Sequence, residues 1–213
     1  MAKFNLSKSG ERFNLSKSDG GLVNVRIGLG WQANEDPNGP NFDLDVSAFM
    51  IGNDFKIPDD GFFVFYGAEK GTDKEGNIRP LSQDGALFGA IDEREGGDED
   101  EEGDAEDMIL DLSKVDKRVE QIIIVVTICK YPHDDKRDRR TLQLNFGMVD
   151  GCYLRILNEK TGDEIMRYNL AEKFGNEDAV EFGRLYRIGT EWEFEALGRG
   201  SIGSLPALIA QYT

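Results

Sequence analysis

The sequence predicts an all-β fold: an antiparallel β-sandwich closed by one short C-terminal helix. Three observations carry this. Two stretches alternate apolar and polar residues with period two, Val23-Asn24-Val25-Arg26-Ile27-Gly28-Leu29 and Phe42-Asp43-Leu44-Asp45-Val46-Ser47-Ala48, the signature of half-buried strands. The C-terminal half spaces strand-like segments at 152–158, 164–170, 180–188 and 191–197 with turn residues between them, the rhythm of a sandwich. The last residues, 204–212, fit a single short helix with Ser204 as N-cap and Pro206 in its first turn.

The chain reads in order as follows. Phe4-Asn5-Leu6-Ser7-Lys8-Ser9 recurs as Phe13-Asn14-Leu15-Ser16-Lys17-Ser18, each copy followed by turn residues, so two short strands are expected. Residues 32–41 form a loop rich in Asn, Pro and Gly, and Gly52-Asn53-Asp54 and Pro58-Asp59-Asp60-Gly61 are turns. Phe62-Phe63-Val64-Phe65-Tyr66 is apolar throughout and suits a strand buried on both faces, although periodicity alone does not separate it from a helical segment. Residues 67–91 read as a Gly-rich loop. Residues 92–107 hold eleven acids against Arg94 alone, an acidic insertion whose like charges repel. Val119-Glu120-Gln121-Ile122-Ile123-Ile124-Val125-Val126-Thr127-Ile128-Cys129 is the strongest strand and is expected to be central. Residues 131–141 are a charged loop with the only histidine, His133. With 213 residues and no linker, a single domain over 1–213 is expected.

Charge restricts the partners. Lys plus Arg is 25 and Asp plus Glu is 41, a formal net charge of −16. Phosphate neutralisation dominates nucleic-acid affinity, so nucleic acid is not an expected partner, nor is an anionic membrane surface. Cys129 and Cys152 lie in apolar runs and read as buried thiols of a reducing compartment. The first residues lack the apolar core of a signal peptide, and no window reaches the length of a membrane span. A cytoplasmic protein without direct membrane insertion is expected.

The candidate chemistry lies in the carboxylates. On a strand at 42–48 the apolar set enters the core, and Asp43 and Asp45 project from the other face, roughly 7 Å apart. Asp is a poor strand former. Either an ion sits between these oxygens or the face is simply solvated. Other motifs give less. Gly198-Arg199-Gly200-Ser201-Ile202-Gly203 has dinucleotide-loop spacing but too little chain follows for the acid such a site needs. Two cysteines and one histidine cannot close a zinc site, and Cys129 and His133 read as a structural thiol and a solvated side chain. Asp43 and Asp45 on one strand face suit a cation better than the two sides of a sugar ring. Asp98-Glu99-Asp100-Glu101-Glu102-Gly103 begins like an EF-hand loop, but its twelfth place is Ile109. The donors are hard oxygens, which favour Ca²⁺ over Mg²⁺.

Several segments in order resemble the TerD family of tellurium-resistance and stress-response proteins: Gly28-Leu29-Gly30-Trp31, Phe42-Asp43-Leu44-Asp45 with Ser47-Ala48, Phe63-Val64-Phe65-Tyr66, Gly103-Asp104 with Glu106 and Leu110-Asp111-Leu112, Asn145-Phe146-Gly147, Arg167-Tyr168-Asn169-Leu170, Phe182-Gly183-Arg184-Leu185-Tyr186-Arg187 and Trp192-Glu193-Phe194. The resemblance covers nearly the whole chain. It implies a non-catalytic β-sandwich that binds Ca²⁺, two ions or one, through acidic loops at one end. It also implies work alongside other stress-response proteins, in membrane-associated complexes. By matching position it designates Asp43, Asp45, Asp104 and Glu106 as ligands, with Asp84 as a further acid. The chain departs from the pattern at Gln32, Gly67 and Ala105 and carries extra residues in the acidic stretch and at 131–144. One ion site is therefore weakened, lost, or rebuilt from Asp98, Asp100 or Glu102. The alternative is an acidic interaction module whose 92–107 run docks a basic partner without holding a specific ion.

Overall fold

The computed structural model describes residues 4–5, 9–17, 21–34, 42–93, 96, 103–129, 144–169 and 174–213. These form two six-stranded sheets, one hairpin and one helix. In chain order the strands are β1 (Phe4–Asn5), β2 (Arg12–Asn14), β3 (Asn24–Gly30), β4 (Leu44–Ile51), β5 (Phe63–Val64), β6 (Lys70–Thr72), β7 (Ile78–Pro80), β8 (Leu87–Phe88), β9 (Glu106–Asp111), β10 (Gln121–Ile128), β11 (Tyr153–Asn158), β12 (Glu164–Asn169), β13 (Ala179–Ile188) and β14 (Glu191–Ser201); helix α1 is Ser204–Tyr212. Sheet one runs β1-β12-β11-β3-β9-β8 and sheet two β2-β14-β13-β10-β4-β5. All pairings are antiparallel except β1 with β12.

The period-two stretches sit where the alternation demands. Val25, Ile27 and Leu29 of β3 face Leu44, Val46, Ala48 and Met50 of β4 within one core, which Ile122, Ile124, Val126 and Ile128 of β10 complete. Each Val, Ile, Leu or Met among them contributes about 1.5–3 kcal/mol on burial. Strand β10 lies between β4 and β13, the interior position expected of the most apolar run. The two copies of the N-terminal repeat part company: β1 joins the edge of sheet one and β2 the edge of sheet two.

The opposite face of β4 departs from expectation. It is not solvated; every residue of the strand is buried. Phe49 and Ile51 join Phe63, Ile123, Val125 and Leu197 in a second apolar cluster under Leu208 and Tyr212 of α1. Phe49 stacks on Phe63 at 4.4 Å between centroids, Phe63 on Phe65 at 4.5 Å, and Tyr212 packs against Phe49 at 4.9 Å. The short helix thus covers the outer face of sheet two, and its sequence position gave no hint of that.

Three local expectations change. Only Phe63–Val64 of the 62–66 run is strand. The 67–91 loop contains β6, β7 and β8, set by an Asx turn in which Asp73 accepts the N–H groups of Glu75 and Asn77. Helix α1 is capped by Gly203, at φ 119°, rather than by Ser204; Asp178 accepts the N–H of both residues, and the Ser204 hydroxyl donates to Ile128 O. The Gly198–Ser201 part of the glycine motif is strand β14. Cys152 is buried and Cys129 half-buried, and neither forms a disulfide. The 131–141 loop with His133 lies outside the described residues. Among the described residues no helix is long and apolar enough to cross a membrane.

Candidate metal centre

The site is built at the start of β4. Trp31, 3% exposed, donates its indole N–H to Phe42 O at 3.0 Å and fixes the entry of the strand. Gly96 rests on that ring: a Cβ there would lie 2.6 Å from Trp31 Nε1. Cys129 N–H donates to Asp43 O at 2.7 Å, and Asp45 pairs with Thr127 in the register of β4 with β10. With Leu44 driven into the core, Asp43 and Asp45 share the other face and are only 4% and 6% exposed. A third carboxylate, Asp92, arrives from the segment after β8. One oxygen from each of Asp43, Asp45 and Asp92 lies within 4.8 Å of the others.

Glu106 belongs to the same locality. It opens β9, is 3% exposed, and accepts Val46 N–H at 2.9 Å and Glu93 N–H at 3.4 Å. Strand β5 pairs with β4 only at Ala48 and Phe49, so the Val46 amide lies beyond it and takes a side-chain acceptor instead. The buried Ser47 hydroxyl, on the Asp43 and Asp45 face, has no hydrogen-bond partner among the described residues.

The electrostatics follow from this crowding. Burial, then the charges of Asp43 and Asp92, push Asp45 up from 3.8 to about 7. Burial and then the Asp45 charge push Glu106 well above the usual carboxylate range, against the lowering effect of its two N–H donors. Burial first, and then the charges of Asp45, Cys129, Asp92 and Asp43, raise the Tyr66 phenol. Among the described residues neither Asp45 nor Glu106 pairs with a lysine or arginine. Like-charged buried carboxylates without a counter-charge are costly. A hard cation relieves that cost, and the donors are all oxygen, as Ca²⁺ requires.

The five residues expected as ligands do not all meet. Asp43 and Asp45 meet, with Asp92; Glu106 lies beside them, accepting Val46 and Glu93 N–H, but outside that group of three. Asp84 lies elsewhere, accepting the Ser82 hydroxyl at 2.6 Å, Ala86 N–H at 3.0 Å and Asp116 N–H at 2.8 Å. Asp104 lies over Gly28 on the outer face of sheet one, taking Arg155 Nε at 2.7 Å and the Tyr153 hydroxyl at 3.1 Å. Asp98, Asp100 and Glu102 lie outside the described residues. Asp92 is the member sequence reasoning missed. Its one signal was position, the first acid after the apolar Ala90-Ile91, and ten further acids hid it. The atypical Gln32 donates its N–H to Asp150 O, and Ala105 packs on the core.

Comparison with known proteins gives a consistent result. A family model described as the TerD domain matches residues 2–212. The chain is 38% identical over 207 residues to the tellurium resistance protein TerD of Serratia marcescens, covering 97% of this chain and 95% of the relative. It is 35% identical over 203 residues to general stress protein 16U of Bacillus subtilis, covering 95% and 94%. Among solved structures, a homologue of telluride resistance protein (TerD) from Streptomyces coelicolor A3(2) superposes with a TM-score of 0.65 at 19% identity, covering 89% of this chain and 96% of that one. That likeness bears on the fold.

Proposed function

The chain belongs to the TerD family, and on that premise we propose that it is a non-catalytic Ca²⁺-binding protein of the stress and tellurium-resistance type. The observation that carries this is the convergence of Asp43, Asp45 and Asp92, two of them buried, to within 4.8 Å. In this reading the three carboxylates hold one ion. Glu106 fixes the register between the strand that carries Asp45 and the segment that carries Asp92. Ion binding would hold Asp92 against the start of β4. A second ion would draw on Asp98, Asp100 or Glu102. The protein acts by binding, in concert with other stress-response proteins.

The test is a calorimetric titration with Ca²⁺ and, separately, Mg²⁺, paired with thermal melts in each ion and in EDTA. Saturable Ca²⁺ binding is expected, with a larger melting shift than equal Mg²⁺ gives. Binding to the folded state alone stabilises by about 2.7 kcal/mol at a hundredfold excess over Kd. Identical melts in Ca²⁺ and EDTA, with no heat of binding, would sink the reading.

A further inference from the structure

Arg79 is a buried cation in a strongly acidic chain, 4% exposed on β7, and its donors reach the backbone of β9 and of the segment after β8. Its Nε donates to Asp73 Oδ2 at 2.8 Å. Its Nη2 donates to Asp107 Oδ1 at 3.1 Å. Its Nη1 donates to Asp107 O at 2.9 Å and to Gly89 O at 3.4 Å. The first carbonyl belongs to the residue that follows Glu106 in β9; the second lies three residues before Asp92. One planar guanidinium therefore holds together the two segments that deliver Glu106 and Asp92 to the cluster.

The surroundings keep that guanidinium in one pose. Asp73 is itself held by the N–H groups of Glu75 and Asn77 and by the Asn77 side chain. Gly89 is pressed onto the same strand: its N–H donates to Pro80 O at 2.8 Å, and a Cβ there would lie 2.8 Å from Pro80 Cβ and 2.9 Å from Val64 Cγ1. A buried arginine serving only as half of an ion pair would need just Asp73. The two carbonyl contacts are additional, and they need a rigid fork of donors that a single ammonium does not supply.

We infer that Arg79 is a positioning residue of the cation site, setting the separation between β9 and the Asp92 segment without touching the ion. The inference rests on the cation-binding reading. Groups that orient metal ligands from outside typically govern affinity by about 10–100-fold.

The experiment is a calorimetric Ca²⁺ titration of the full chain as wild type, Arg79→Lys, Arg79→Gln, Asp92→Asn and the Arg79→Lys/Asp92→Asn double variant, with circular dichroism confirming the fold of each. Arg79→Lys keeps the charge beside Asp73 and loses the fork, so it decides the matter if Arg79→Gln does not fold. The expected result is a Kd raised about 10–100-fold in Arg79→Lys. The double variant is expected to bind within about twofold of Asp92→Asn alone, because Arg79 acts through that residue. A merely structural role would lower the melting temperature and leave Kd unchanged, or give fully additive losses; either overturns the inference. Absence of Ca²⁺ binding by the wild type overturns the cation reading with it, whereas wild-type binding with unchanged affinity in Arg79→Lys overturns only the role of Arg79.

Discussion

The Glu106 carboxylate accepts the Val46 backbone N–H at 2.9 Å, so a side chain of sheet one closes the open edge of sheet two. That bond joins the two sheets at the end where Asp43, Asp45 and Asp92 gather. It also places a fourth acid where Asp45 already resists ionisation. Structure and charge are therefore opposed at this point, and their separation is measurable.

Glu106→Ala leaves the Val46 N–H buried without its acceptor. A loss of about 1–3 kcal/mol is expected. Glu106→Gln keeps an acceptor and removes the charge facing Asp45, so it should unfold in urea close to wild type without added ion. Equal losses in the two variants would show that the acceptor for Val46 N–H is not what Glu106 contributes to stability.

Asp45→Asn removes the central charge of the cluster. Without added ion the variant is expected to be more stable than wild type at pH 8, with Tm higher by about 2–4 °C for each kcal/mol recovered. The Ca²⁺-dependent rise in Tm should disappear in it, and likewise in Asp43→Asn. A variant that is less stable in EDTA yet still responds to Ca²⁺ would contradict the proposed site.

Ion-free stability should pass through a maximum near pH 4 and fall from there to about pH 7. Asp45 in the folded chain holds its proton up to about pH 7, against an ordinary value of 3.8. Between those values the folded state binds more protons than the unfolded one, so stability falls as pH rises. Asp73 has the opposite sign. Burial would push it up, but bonds from the Asn77 N–H and side chain, Arg79 and the Glu75 N–H hold it down to about 2. Its contribution is complete above pH 4 and is lost as pH falls toward 2. Melts in EDTA at pH 3, 5 and 8 test this, and saturating Ca²⁺ should remove most of the fall between 5 and 8. A flat profile from 5 to 8 in EDTA would show that Asp45 titrates normally.

Gly183→Ala probes the fold away from the site. A Cβ there would lie 2.2 Å from Phe194 Cζ and 2.9 Å from Glu195 O, inside a core where Phe194 is fully buried. Overpacking of this kind costs about 1–3 kcal/mol. Chemical denaturation should show that loss, with Ca²⁺ affinity unchanged from wild type.

Much of the fold is legible in the chain because burial on one face imposes period two. Val25, Ile27 and Leu29 announce β3, and the aliphatic density of 122–128 announces an interior strand. The N-terminal repeat announces two short strands without saying that they border different sheets. The short strands β6 to β8 were not legible: their pairing depends on Asp73, Arg79 and the packing of Gly89, which no local pattern encodes. The site was legible in part. Alternation set Asp43 and Asp45 on one face, but it could not tell a solvated face from the buried one observed.

Composition and nearest-neighbour spacing are enough to give the all-β class, the acidic character, the family resemblance and the placing of Asp43 and Asp45 on one face at the start of β4. Which distant acids join them depends on how the two sheets pack. Asp92 joins Asp43 and Asp45, and Glu106 bonds to Val46 N–H beside them, while Asp84 and Asp104 are engaged by Ser82 and Arg155. Every one of these residues is a carboxylate with the same local chemistry. What separates them is which backbone N–H, hydroxyl or guanidinium the packed sheets bring within about 3 Å, and that is a property of the assembled fold.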